Sequence, residues 1–162
     1  MIPTLTTPRL TLRAQTMADW PSYRDFYREQ AAADGEDFDP RRAWTLFASD
    51  IGHWALHGFG WLILDDGTGA VGACGIHHPP QHADVEIGWN TFAAARGKGY
   101  APEAATRVLE WGRGLIGGDT RLVSYITRGN AASEAVARKI GAADTGTASD
   151  HSATCNVWEH LS

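Results

Sequence analysis

The run Ala95-Arg96-Gly97-Lys98-Gly99-Tyr100-Ala101-Pro102-Glu103-Ala104 carries the strongest chemical signal in the chain. Glycines alternating with cations make a tight basic turn, and apolar residues at 101, 104, 105, 108, 109 and 115 give the helix that follows one buried stripe. Pro102 fits that helix's first turn, where N–H groups have no intrahelical acceptor. The amides of Gly97, Gly99, Tyr100 and Ala101 can therefore face an anion such as a pyrophosphate. Arg96 and Lys98 could offset its charge, although a lone Lys98 is equally a solvated loop residue. Glycines needed only for positive φ would leave the same pattern, so the surroundings decide.

Two other phosphate motifs do not fit. A Walker loop needs Ser or Thr after Gly-Lys to hold magnesium, and Gly97-Lys98 is followed by Gly99. A dinucleotide fingerprint needs three spaced glycines after the first strand of its unit and an acid about 20 residues on. Here the turn follows a fourth strand and lacks the third glycine. Cys74, His77, His78 and His82 are ligand types close in sequence, but along a strand 77 faces away from 74 and 78, and His82 follows Pro79-Pro80. No metal site is expected from them, whereas a histidine there could line a substrate cleft.

The elements around the turn are legible. Residues 9–14 predict a strand, Pro21 to about Gln30 a helix with Trp20, Tyr23 and Tyr27 on one side, and Pro40 to about Ala55 a second helical region. Gly60–Leu64 and Val71–His77 read as a hairpin through Asp65-Asp66-Gly67-Thr68-Gly69. Asp84–Trp89 alternates as a strand before the turn, and Arg121–Thr127 is another after the helix. Asn130 opens a short helix ending at Lys139-Ile140-Gly141, and residues 143–148 and 154–160 read as two last strands. Antiparallel strands early and helices later predict an α+β fold with a mixed, mostly antiparallel sheet flanked by helices.

The order strand, R-G-K-G-Y-A turn, helix, strand, N-A-A-S helix, K-I-G resembles the GNAT N-acetyltransferases, closest to their ribosomal-protein N-terminal acetyltransferase branch. Thr7-Pro8-Arg9-Leu10-Thr11-Leu12-Arg13 and Gly69-Ala70-Val71-Gly72 match that branch too, so the resemblance spans nearly the whole chain. Arg96, Gly99 and Ala101 meet the family signature R/Q-x-x-G-x-G/A. The resemblance implies that Arg96, Gly97, Lys98, Gly99, Tyr100 and Ala101 bind the pyrophosphate of acetyl-coenzyme A. It implies that Glu86–Thr91 splays from its neighbour to hold the pantetheine, with an amide near Trp89 or Asn90 as donor to the thioester oxygen.

The same resemblance makes Glu86 the candidate base, directly or through water, against a solvent-facing strand residue. It gives Asn130, a strong N-cap type, a coenzyme contact, and places Ser133 near the thiol sulfur as acid, positioner or simply a first-turn serine. The family's usual acidic tyrosine is matched by Ala137, and the aromatic after K-x-G by Ala142, so no tyrosine acid is expected from that helix. An α-amino acceptor with pKa near 8 needs less help than a lysine near about 10.4.

At 162 residues, 43% hydrophobic and 20% charged, the chain reads as one ordinary soluble domain, residues 1–162, with a proper core and no room for a second. A net charge of −5 argues against a nucleic-acid footprint and faintly favours cationic acceptors. Neither a leader nor an 18-residue apolar run is present, so cytoplasm is the expected compartment, with no membrane partner and Cys74 and Cys155 reduced. Seven tryptophans suggest an aromatic acceptor pocket, with Trp44, Trp54 and Trp89 nearest it, although core packing accounts for most tryptophans. The expected function is direct acetyl transfer from acetyl-coenzyme A to a primary amine, on a small molecule or a protein N-terminus, without a metal. A coenzyme-binding module without catalysis is the alternative, and a homodimer stays open.

Overall fold

The computed structural model describes residues 1–117, 120–150 and 152–160. In chain order the strands and α-helices are β1 (Leu5–Thr6), β2 (Thr11–Arg13), α1 (Trp20–Asp34), α2 (Pro40–His57), β3 (Trp61–Asp65), β4 (Ala70–His77), β5 (Val85–Thr91), α3 (Tyr100–Ile116), β6 (Leu122–Thr127), α4 (Ala131–Lys139), β7 (Ala142–Ala148) and β8 (Cys155–His160). The strands form one sheet in the order β1-β2-β3-β4-β5-β6-β8-β7. Every neighbouring pair is antiparallel except β5 and β6. This is the mixed α+β architecture that the alternation predicts.

The sheet is filled on both faces, and strand periodicity sorts the residues. Leu62, Leu64, Cys74, Ile76 and Ile87 belong to one cluster with the α3 residues Ala104, Ala105, Val108 and Leu109. Ile63 and Ala73, which alternate with them, join Tyr23 of α1 and Phe47 of α2 in a second. Small residues let α3 lie close to the sheet. A Cβ built on Gly112 would collide with Ile76 Cδ1. A third cluster seats Ala137 of α4 against Ile126, Ala142 and Trp158.

Helix limits follow capping chemistry. Helix α1 runs four residues past Gln30 because Gly35, at φ 72°, is the first residue that ends it cheaply. Helix α2 starts at Pro40 behind Asp39, whose carboxylate accepts from the Arg41 amide at 2.8 Å, and ends at Gly58. The strand expected at 9–14 shrinks to Thr11–Arg13, since Pro8 has no N–H for a ladder and Thr7 instead closes a turn onto the Leu10 carbonyl at 2.9 Å.

Strands β5 and β6 decide the shape of the molecule. They pair only at Val85 with Leu122 and Glu86 with Val123. Beyond that point β6 continues its ladder with β8 through Thr127 and β5 its ladder with β4 through Thr91, so a wedge opens between them. At its apex the Ser124 hydroxyl donates to the Ile87 carbonyl at 2.7 Å and lies 2.9 Å from Nε2 of the buried His160. The serine's one proton is spent on Ile87, so His160 donates from Nε2 and Nδ1 carries no proton.

Candidate active site

The glycine turn stands at the open end of the wedge. Gly97 and Gly99 adopt φ 76° and 77°, so both glycines are required by the backbone, and Gly99 is the N-cap of α3 with no side-chain cap. The first amides of α3 thus keep their N–H groups available to an anion. Arg9, which carried no signal in the sequence beyond the strand it opens, fixes this turn. It donates to the Lys98 carbonyl at 2.7 Å and the Gly99 carbonyl at 3.2 Å, and from Nε to Glu103 at 2.7 Å. Glu103 also accepts from the Thr7 hydroxyl at 2.6 Å and the Arg9 amide at 3.1 Å. With the carbonyls turned to Arg9, the amides face the other way. Tyr100 is braced as well, donating its hydroxyl to Asp66 at 3.1 Å beneath the Arg9 guanidinium.

Arg96 departs from the phosphate-neutralising expectation. Its guanidinium grips the Glu29 carboxylate of α1 through both amino groups, one at 2.8 Å, and its Nε donates to the Thr91 carbonyl at 3.3 Å. A carboxylate already matches its charge, so Arg96 ties α1 to the turn. Lys98 is exposed, its ammonium 5.9 Å from the Tyr100 ring centroid.

Three adjoining hollows lead from the turn to the apex. The first, about 350 Å³, is bounded by the turn and by Ala132, Ala135 and Val136 of α4. The second, about 360 Å³, shares Thr91, Arg96 and Ala101 with it and runs along Trp89, Asn90 and Ser133. The third, about 160 Å³, lies within the wedge between Glu86–Trp89 and Ser124–Thr127 and is closed by Asn130 and Ser133. Candidates 86, 89, 90, 91, 130 and 133 therefore border one continuous groove with the turn.

Individual roles shift within it. The Asn90 side chain accepts the Ala73 amide at 2.9 Å in a register position where a main-chain carbonyl ordinarily serves, so its carboxamide belongs to the sheet. The Asn130 carboxamide oxygen accepts from the Ser133 amide at 3.1 Å, which makes Asn130 the cap of α4. The Ser133 hydroxyl is not the cap and belongs to the groove lining. Ala137 is fully buried, whereas Ala132, Ser133 and Val136 present α4 to the groove.

Glu86 does not point to solvent from a half-exposed strand. It lies directly opposite His77 on β4 and is enclosed by two imidazoles, with His82 Nδ1 at 3.3 Å and His77 Nδ1 at 3.9 Å from one carboxylate oxygen. Burial alone would raise its pKa, but the two imidazoles beside it outweigh this and hold it below the ordinary carboxylate range. The carboxylate is ionised at neutral pH. The four residues Cys74, His77, His78 and His82 do not converge: Cys74 is sealed in the core and the His78 amide binds His53, while His77 and His82 meet on Glu86 instead. Among the described residues these three form the one trio whose ligand atoms lie within 4.8 Å of each other.

The aromatic wall also differs. Trp54 is buried, donating to the Trp61 carbonyl at 2.8 Å and packing on Trp111, and Trp44 lies outside the groove against Trp20. Trp61 lines the apex hollow with Trp89, its ring lying where a Cβ on Gly88 would meet it at 2.5 Å. Tyr125 of β6 joins them, edge-on to His82 at 5.1 Å. Nothing local marks Trp61 or Tyr125, since only the register of β3 and the divergence of β6 bring them to the apex.

A divergent parallel pair beside a glycine-capped helix, with a carboxylate at the apex, defines the acyl-transfer class of fold. Residues 9–143 match the family model described as an acetyltransferase (GNAT) domain, and the chain belongs to this family of N-acetyltransferases. The structure of an acetyltransferase from Agrobacterium tumefaciens strain C58 superposes with a TM-score of 0.89 at 34% identity, covering 100% of this chain and 96% of that one. Two more distant structures share the fold. The microcin C7 self-immunity acetyltransferase in complex with acetyl-CoA and AMP gives 0.72 at 15% identity, with 96% and 94% covered. Mycobacterium smegmatis RimJ in complex with CoA-disulfide gives 0.67 at 19%, with 98% and 85% covered. Among the described residues no helix is long and apolar enough to cross a membrane.

Proposed function

We propose that this enzyme transfers the acetyl group of acetyl-coenzyme A directly to a primary amine, on a small molecule or a protein N-terminus, within a ternary complex. The observation that carries the proposal is the placement of Glu86 and Ser133 around one hollow at the apex of the wedge, with the α3 turn at the far end of the same groove. Amides of residues 97–101 hold the pyrophosphate, and the diverging edges of β5 and β6 accept the pantetheine as an added strand. Glu86, held ionised by its two histidines, takes a proton from the incoming ammonium through water. The neutral nitrogen forms its bond to the carbonyl carbon, the carbon–sulfur bond breaks, and the electron pair stays on sulfur, where the Ser133 hydroxyl faces it. The nitrogen then loses its remaining extra proton, which ends on the thiolate, leaving the acetylated amine and the coenzyme thiol. A low pKa makes Glu86 a modest base, so alignment of the reactants carries more of the rate, up to roughly 7 to 11 kcal/mol for well-oriented partners. The same reading places the enzyme in a reducing cytoplasm, in keeping with its two free cysteines.

The test pairs calorimetric titration of acetyl-coenzyme A with thiol-release assays over a panel of amines and peptides. Wild type should bind and turn over. Gly99→Glu should fold yet lose binding, because a carboxylate would fill the approach to the amides. Unchanged affinity in that variant would overturn the assignment of the turn.

A further inference from the structure

Beside the apex lies a cleft of about 580 Å³ walled by α1, α2 and the far end of β4. It meets the apex hollow at Trp61, which lines both, and His77, in its wall, stands directly opposite Glu86. Tyr23, Tyr27 and Trp61 give the cleft aromatic faces, and Asp50 is the one carboxylate among its described lining residues. Three histidines, His53, His57 and His77, share the lining, and His53 among them brings no positive charge. His53 Nε2 accepts the His78 amide at 3.0 Å, so its Nδ1 carries the proton to the Phe59 carbonyl at 2.7 Å, and burial lowers its pKa. Tyr27 and Leu46 also border the neighbouring groove around Asp34, Glu36, Asp37 and Asp39, of which Glu36 is paired with Arg42 at 3.4 Å. Aromatic faces around one half-buried carboxylate, approached past an acidic loop, are the chemistry that retains an organic cation.

Resting on the acetyl-transfer reading above, we propose that the acceptor is a diamine: one nitrogen is presented to Glu86 at the apex, and the second, still an ammonium, is held by Asp50 between Tyr23, Tyr27 and Trp61. Burial pushes Asp50 up to about 7, against attraction from His77 and the pull of the Tyr23 hydroxyl, so an arriving cation draws this acid into its ionised form. The balance is one acetyl group for one proton, giving a monoacetylated diamine that keeps its second charge, together with the coenzyme thiol.

The experiment measures kcat/KM for α,ω-diamines from diaminopropane to diaminohexane, each against the monoamine of the same length, at saturating acetyl-coenzyme A. The best diamine should exceed its monoamine by about 10- to 100-fold, the range of one charge-assisted contact in a partly dry site. Asp50→Asn should pull that ratio toward one. Asp50→Glu, which keeps the charge one methylene further in, should move the optimum to a shorter diamine. A wild-type ratio near one, or a ratio untouched by Asp50→Asn, overturns the diamine inference while leaving acetyl transfer intact. Turnover only on peptide N-termini does the same. Binding of acetyl-coenzyme A without turnover on any amine or peptide overturns the parent reading instead.

Discussion

Arg9 holds the carbonyl of Lys98 at 2.7 Å across a sequence separation of 89 residues, and through it the direction in which the α3 turn presents its amides. Arg9→Ala should therefore weaken acetyl-coenzyme A binding roughly tenfold, through misdirected amides and not through a lost ligand contact. Calorimetry on the variant, with turnover at saturating coenzyme nearly preserved, checks this; undiminished affinity would remove Arg9 from the site.

Glu86→Gln should lower turnover by about 100-fold or more, most at low pH where the acceptor is protonated and least where free amine predominates. Because its histidine partners lower the Glu86 pKa, wild type should show no loss assignable to this carboxylate above the ordinary glutamate range near 4.5. Full pH–rate profiles of both proteins decide it, and a uniform drop at every pH would make Glu86 a positioning group.

Ser133 and Asn130 can be separated because the cap belongs to Asn130. Ser133→Ala should cut turnover roughly 10- to 1000-fold with the melting temperature unchanged, if its hydroxyl meets the sulfur as charge develops there. Asn130→Ala should instead cost about 1 kcal/mol of stability. Paired melting and kinetic measurements that reverse this pattern would exchange the two roles.

Acid stability should report on His160. Burial lowers its pKa from 6.5 to about 4, so protonation favours the unfolded chain. Its contribution is complete above the unfolded value of 6.5 and is lost as pH falls toward about 4; at 1.36 kcal/mol per pH unit the full span is roughly 3 kcal/mol. Denaturant midpoints between pH 7 and pH 4 should fall in wild type and much less in His160→Gln, which keeps a donor for Ser124.

The fold was largely legible because its elements announce themselves locally. The α3 stripe, the Asp65–Gly69 turn and the N-cap at Asn130 are short-range signals; the turn and the cap stand in the structure, and the stripe stands from Ala101 to Leu109, whereas Leu115, expected on it, is exposed and Gly112 takes the buried place against Ile76. The site was legible where it is a segment, as in the glycine turn, and illegible where it is a meeting. His77 reaches Glu86 only through the register of β4 and β5, and His82 only because the loop folds back, its amide donating to the Pro79 carbonyl at 2.9 Å. Alternation along one strand, which set His77 apart from Cys74 and His78, cannot describe groups drawn from two strands and a loop. Tryptophan count failed for a similar reason: Trp54 and Trp61 are seven residues apart, yet one is core and the other faces the cleft.

The divergence of β5 from β6 leaves the sheet unfinished in its middle, with ladder positions from Ile87 to Thr91 on one side and Ser124 to Thr127 on the other facing a gap. A cosubstrate that docks there as a strand supplies the missing rungs, so it is a folding partner as well as a reactant. At a free concentration of 100 times its Kd such a ligand adds about 2.7 kcal/mol to the native state. The lifetime of this enzyme against proteolysis would then rise and fall with the acetyl-coenzyme A level around it, making the abundance of the catalyst, and not its rate alone, a readout of acetyl supply.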